Sequence, residues 1–191
     1  MKKTSPSFQL SRRDSLLLAA SGVLYLGLPT SAAGSKAPAA LRPRKGDALV
    51  FAEGDRAGKA IAVSDVGPEL LPAFAKDPAT GVIRDGSRLN RVLLVRVGED
   101  ALTPRTAEGA VDGVVAYSAV CTHTGCDIAD REETSGHLRC PCHGSTFDPL
   151  DRGNVMGGPA PRRLAQLPLV TKNGVLIVRR GFSGRVGFTT T

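Results

Sequence analysis

All four cysteines of the chain lie between positions 121 and 142, and two of its three histidines fall among them. The first box reads Cys121-Thr122-His123-Thr124-Gly125-Cys126, and thirteen residues later comes Cys140-Pro141-Cys142-His143-Gly144-Ser145. Thiolate and imidazole are ligands for transition metals, and chance scattering does not gather them this way. Two Cys and two His at these spacings suit an iron-sulfur cluster, a tetrahedral zinc ion, or two structural disulfides without metal. A Cys-x-His box and a Cys-x-x-His box are each too short to wrap a metal alone. Two loops must therefore approach the group from opposite sides and stay clamped there.

The two boxes resemble the Rieske iron-sulfur family closely. The resemblance implies one [2Fe-2S] cluster, with Cys121 and Cys140 on one iron, His123 and His143 on the other, and a Cys126–Cys142 disulfide clamping the loops. An oxidised [2Fe-2S] core carries two positive charges, so two thiolates and two neutral imidazoles leave the site neutral, where four thiolates would leave it doubly negative. A neutral site accepts an electron more readily, which places such clusters at about −150 to +300 mV, far above plant-type ferredoxins. Ser145 stands where the family's serine hydroxyl bonds a bridging sulfide, and Gly158-Pro159-Ala160-Pro161 resembles its proline loop, with Asp148 to Gly153 as the turn between. Gly, Pro and Ser at these places have no role in the zinc reading.

Two departures bear on function. Phe147 occupies the position where high-potential members carry a tyrosine whose hydroxyl bonds a ligand sulfur, and phenylalanine cannot donate that bond. Thr124 stands where quinol-oxidising members commonly have leucine beside the exposed histidine. His137, the remaining histidine, reads as a surface residue on the strand entering Cys140.

The elements that must position these loops read as β structure. Short β-leaning runs recur between turn signals at Ala48 to Ala52, Ala60 to Ser64, Val92 to Val97, Gly113 to Val120, Leu164 to Val170 and Val175 to Arg179. Lys172-Asn173-Gly174 between the last two is a hairpin signal. With 22 Gly, 13 Pro, no Trp and only 4% aromatic residues, the core must come from Val, Leu, Ile and Ala between many turns. The expected fold is all-β: a Rieske-type antiparallel β-sandwich over residues 47–185, with a small loop-rich cluster-binding subdomain at about 116–161 and a tail at 186–191. Residues 65–90 contain Pro68, Pro72, Pro78, Gly81 and Gly86, and read as an irregular insertion with at most one helical turn around Glu69 to Lys76.

Residues 1–33 have the layout of a secretory leader: a basic start, Ser11-Arg12-Arg13-Asp14-Ser15, an apolar stretch from Leu16 to Leu28, then Ser31-Ala32-Ala33. The adjacent arginines resemble the twin-arginine export signal, with Ser15 where that signal usually has Phe. Thirteen apolar residues rise roughly 20 Å as a helix against a hydrocarbon core of roughly 30 Å. Cleavage after Ala33 and a periplasmic location are expected; retention as a membrane anchor, or a buried helix, is the alternative. Export of a folded protein suits a cofactor inserted beforehand. Residues 34–46, rich in Ala, Pro, Lys and Arg, read as a flexible linker.

The formal charge is +7, of which the leader contributes +3. Scattered basic residues and few aromatic platforms give no nucleic-acid site. A Rieske oxygenase would need a second iron site with two histidines, and only His137 is left for it. Rieske ferredoxins resemble the domain but generally lack the extra cysteine pair and a leader. Two expectations remain. One is an exported electron carrier or small redox subunit, like the Rieske subunit of arsenite oxidase, working between a catalytic oxidoreductase subunit and a c-type cytochrome. The other is the quinol-oxidising Rieske subunit of a cytochrome bc complex.

Overall fold

The uninterrupted apolar runs Val92–Val95 and Val114–Tyr117 become two strands that are buried on both faces. In the computed structural model, which describes residues 37–188, these are β3 (Val92–Arg96) and β4 (Val114–Ser118), paired antiparallel with Val92 opposite Ser118 and Arg96 opposite Val114. Alternation sends Val92, Leu94, Val114 and Ala116 to one side and Leu93, Val95, Val115 and Tyr117 to the other. Each side builds a separate hydrophobic cluster. The first is completed by β1 (Ala48–Phe51), β2 (Leu71–Lys76), β9 (Leu169–Lys172) and β10 (Val175–Val178). The second is completed by the loop-rich subdomain that carries the cysteines.

The larger sheet has six strands in the order β4-β3-β2-β1-β10-β9, and each neighbouring pair is antiparallel. The smaller sheet has four strands, β5 (Asp130–Arg131), β6 (Leu138–Arg139), β7 (Thr146–Asp148) and β8 (Asn154–Gly157), in sequence order. Among the described residues, helix is confined to one α turn at Pro104–Ala107 and a few 3-10 turns. The all-β expectation holds. Among the described residues no helix is long and apolar enough to cross a membrane. The leader, residues 1–33, lies outside the described residues, as do 34–36 and 189–191.

The largest correction concerns residues 65–90. Instead of a helical turn at Glu69 to Lys76, the chain forms β2, an interior strand of the six-stranded sheet. Ala73 and Ala75 are fully buried while Phe74 between them is only half-buried, so the period of two was present in residues too small to declare it. Pro72 sits near the start of the strand, where its missing N–H is tolerated. Two expected strands also shrink. Ala60 to Ser64 contributes only bridges from Ala60 and Ala62, then a 3-10 turn; Leu164 to Val170 pairs with β4 in a single bridge, Gln166 opposite Tyr117, before β9 begins at Leu169.

The stretch read as a flexible linker is bonded to the domain from Pro38 onward. Ala39 C=O accepts from Gly86 N–H at 3.0 Å, and Leu41 C=O accepts from the Asn90 amide at 2.8 Å. Its anchor is a buried ion pair: Arg84, 1% exposed, donates to both carboxylate oxygens of Asp47, 2% exposed, at 2.5 and 3.0 Å. Asp77 joins at 3.3 Å and is also held by Arg44 at 2.6 Å.

One loop design recurs four times. Over six residues, the first N–H donates to the sixth carbonyl and the fifth N–H donates back to the first carbonyl. This holds for Asp77–Val82, Cys121–Cys126, Glu132–His137 and Cys140–Ser145. The fifth residue is always glycine, with φ of 73°, 85°, 72° and 69°, a conformation open to glycine and strained for other residues. Both cysteine boxes are therefore instances of a general turn.

Candidate metal centre

In each cysteine box the first residue lies at the hydrogen-bonded base of the loop and the histidine lies on its crest. Cys121 and Cys140 are each 1% exposed and belong to the second hydrophobic cluster, beside Leu138 and Phe147. His143 is exposed, His123 is half-buried, and their rings meet edge to face with centroids 4.7 Å apart. Two loops on different strands thus bring two thiols together below and two imidazoles together above.

Of the four cysteines, Cys126 and Cys142 form a disulfide and Cys121 and Cys140 are free. Two metal-free disulfides are thereby excluded. The sulfurs of Cys126, Cys140 and Cys142 lie within 4.8 Å of one another, but the disulfide leaves only Cys140 of the three as a thiolate donor. Burial pushes the Cys121 thiol above its ordinary range; the His123 N–H, 3.5 Å from its sulfur, and the Ser145 hydroxyl pull it down, while the adjoining Cys140 thiol raises it further. Such a thiol stays neutral without a cation to receive its charge.

Residues present at the site fit an iron-sulfur group. His123 Nδ1 is buried and has no hydrogen-bond partner, which is costly for a nitrogen with no further role and natural for a ligand atom. The free donors are two thiols and two imidazoles, so Cys121, Cys140, His123 and His143 could hold such a group. Ser145 is fully buried; its Oγ accepts the Ala160 N–H at 3.2 Å, tying the second loop to Gly158-Pro159-Ala160-Pro161. A Cβ on Gly158 would lie 2.5 Å from Ser145 Cα, so glycine is required for this close approach.

Phe147 is fully buried in the cluster that includes both free cysteines, and Thr124 is exposed on the first crest, 4.0 Å from Cys126 Sγ through its hydroxyl. His137 is less exposed than a surface residue, 21% by side chain, because the Glu132–His137 turn folds it toward Glu132 with Nδ1 3.9 Å from the carboxylate. It is not brought to the site. Several contacts on the first loop come from residues the sequence did not single out. Arg88 donates to Gly125 C=O at 3.0 Å and to Asp127 at 2.9 Å. Thr122 Oγ donates to Arg162 C=O at 2.6 Å, the Arg162 guanidinium donates to Gly187 C=O, and Phe188 packs over Gly125. Lone arginines and a terminal phenylalanine carry no spacing signal.

A family model for the Rieske [2Fe-2S] domain matches residues 85–168. A protein of Haloferax mediterranei, named as a respiratory nitrate reductase subunit Rieske, is 43% identical over 122 residues, covering 63% of this chain and 49% of that protein. The cytochrome bc1 complex Rieske iron-sulfur subunit of Streptomyces lividans is 40% identical over 98 residues, covering 50% of this chain and 58% of the relative. The chain thus spans about half the length of the curated relatives it matches. Among solved structures, the plasma membrane Rieske protein PetC3 of Synechocystis PCC 6803 aligns at 24% identity and a TM-score of 0.38, over 57% of this chain and 84% of that one. A Rieske domain binds a [2Fe-2S] cluster, which decides the metal question against zinc. With the matched stretch enclosing both cysteine boxes, residues 85–168 of this chain form a Rieske [2Fe-2S] domain.

Proposed function

We propose that the chain carries single electrons between protein partners through one [2Fe-2S] cluster held by Cys121, Cys140, His123 and His143. The observation that supports this most directly is the polarity of the site: thiols buried at the loop bases, imidazoles raised to the surface. A bound [2Fe-2S] cluster supplies a one-electron acceptor. The buried thiols exclude water on the core side, and the Ser145 hydroxyl, next to the Cys121 sulfur, stabilises extra negative charge there. His143, exposed, is the edge through which a docked partner exchanges the electron. The Cys126–Cys142 disulfide calls for an oxidising compartment, which supports export to the periplasm by the Arg12-Arg13 leader.

The donor is a catalytic oxidoreductase subunit and the acceptor a c-type cytochrome in this reading; Thr124 on the crest supports it over quinol oxidation. The quinol-oxidising reading is favoured by one feature, His143 exposed on the loop whose Gly144 and Ser145 pack against Gly158, and by the bc1 name of the Streptomyces relative. Purified full-length protein is the material for the test. Reduced samples should give the electron paramagnetic signal of a Rieske cluster, lost in Cys121→Ser and His123→Gln. Retention of that signal in either variant refutes the ligand set. A mature N-terminus near Gly34 and a signal indifferent to quinone analogues support the carrier; Arg12 and Arg13 retained in a membrane complex support the bc reading.

A further inference from the structure

The family match ends at residue 168, yet the chain beyond it returns to the metal centre. After β10 it runs through Phe182 to Gly187 and Phe188, and the Phe188 ring occupies the space a side chain on Gly125 would need: a Cβ there would lie 2.5 Å from the ring. Gly187 has φ of 72°, and a Cβ on it would lie 2.8 Å from Leu89 and 3.4 Å from Val120, so this turn is seated against the domain. Arg162 bonds both ends of the arrangement. Its carbonyl accepts from Thr122, between Cys121 and His123, and its guanidinium donates to Gly187 C=O. From the other flank, Arg88 holds Gly125 C=O.

We propose that Gly187–Phe188 is a strap that positions the first ligand loop, latched by the Arg162 guanidinium, and that it closes the outer face of that loop against water. The second ligand loop has the Ser145–Ala160 bond and the proline loop for this purpose; the first has no proline loop, and the terminal segment takes its place. Phe188 and Arg162 are positioning residues and touch no reacting atom. The inference rests on the ligand reading above only where it concerns the cluster; the contact between strap and loop stands without it.

The test uses the full-length holoprotein with Phe188→Ala, Phe188→Leu and Arg162→Met. Hydrogen exchange is followed on a peptide spanning 121–127 and on one spanning β3, and iron release to a chelator is timed. Removing the ring should raise exchange in the first peptide about tenfold, leave β3 unchanged and speed iron release by a similar factor. Arg162→Met should do the same to a lesser degree, and Phe188→Leu should restore most of the protection. The midpoint potential should rise in Phe188→Ala, since water reaching a site that turns negative on reduction favours its reduced form. Wild-type exchange and release in both Phe188→Ala and Arg162→Met overturn the strap. So does faster exchange spread equally over both peptides, which means general loosening. If the wild type shows no Rieske spectrum, the ligand reading fails while the exchange comparison still decides the strap.

Discussion

Removing the disulfide offers a quantitative test of how the centre is clamped. Cys126 and Cys142 are 16 residues apart, and closing a loop of that size removes about 10 cal/mol/K from the unfolded chain, about 3 kcal/mol at 25 °C. Each ligand loop keeps its own pair of backbone bonds, Cys121 to Cys126 and Gly125 to Cys121 in the first, Cys140 to Ser145 and Gly144 to Cys140 in the second. Loop shape should therefore survive in the Cys126→Ala/Cys142→Ala protein, and what is lost is the hold of one loop on the other. Urea unfolding of the apoprotein should show the full loss, about 3 kcal/mol, as a lower midpoint with a steeper slope, since the uncrosslinked unfolded chain is less compact. A cluster held by Cys121, His123, Cys140 and His143 would join the two loops in the folded protein by itself, so the double variant should still load a cluster but release its iron to a chelator faster than the wild type. A release rate equal to that of the wild type refutes the disulfide as a clamp on the site. A loss under about 0.5 kcal/mol in the apoprotein refutes the clamp itself.

Three further outcomes follow from other parts of the molecule. Arg84→Ala should cost about 3–5 kcal/mol in urea unfolding by leaving Asp47 buried and uncompensated, and should free the 37–46 stretch for proteolysis; a change under about 1 kcal/mol contradicts the buried pairing. Phe147→Tyr should raise the midpoint potential by about 60 mV if the new hydroxyl reaches a ligand sulfur, since one bond about 1.4 kcal/mol stronger in the reduced state is a tenfold bias for a one-electron couple; voltammetry decides it, and an unchanged potential places the hydroxyl elsewhere. The Asp77 carboxyl is held below its ordinary value by the Ala79 N–H and then by Arg44, so it contributes stability that is present above about pH 4 and is lost as pH falls through the lowered folded value. Asp77→Asn should flatten that acid limb of the stability profile, and an identical limb removes Asp77 from it.

What was legible in the sequence depended on how local its cause is. The hairpin at Lys172-Asn173-Gly174 needs only positive φ at two residues, and the structure has 53° at Asn173 and 77° at Gly174. Val92–Val95 and Val114–Tyr117 declared themselves because burial on both faces demands continuous apolar side chains. The disulfide was foreseen only through family resemblance, since four cysteines allow three pairings. The interior strand β2 was hidden because Pro68 and Pro72 read as breakers and its inward residues are alanines. The strap was illegible for a different reason: Phe188 meets Gly125 only after the whole sheet has been assembled.

The repeated six-residue turn separates what makes a loop from what makes a metal centre. Asp77–Val82 and Glu132–His137 have the same backbone bonds and the same positive-φ glycine as the two cysteine loops, and neither of them is part of a group of three or more metal donors among the described residues. The difference lies in side chains at fixed places on that scaffold. A cysteine at the base points its sulfur into the second cluster, and a histidine one or two residues before the glycine rises to the crest. That still yields half a site. The remaining half comes from the strands: β4 delivers the first loop, β6 and β7 carry the second, and both bury their bases against Tyr117, Leu138 and Phe147. Substitutions in that shared floor should therefore disturb the separation between the loops while sparing each turn. The loss would then appear in cluster retention before it appears in secondary structure.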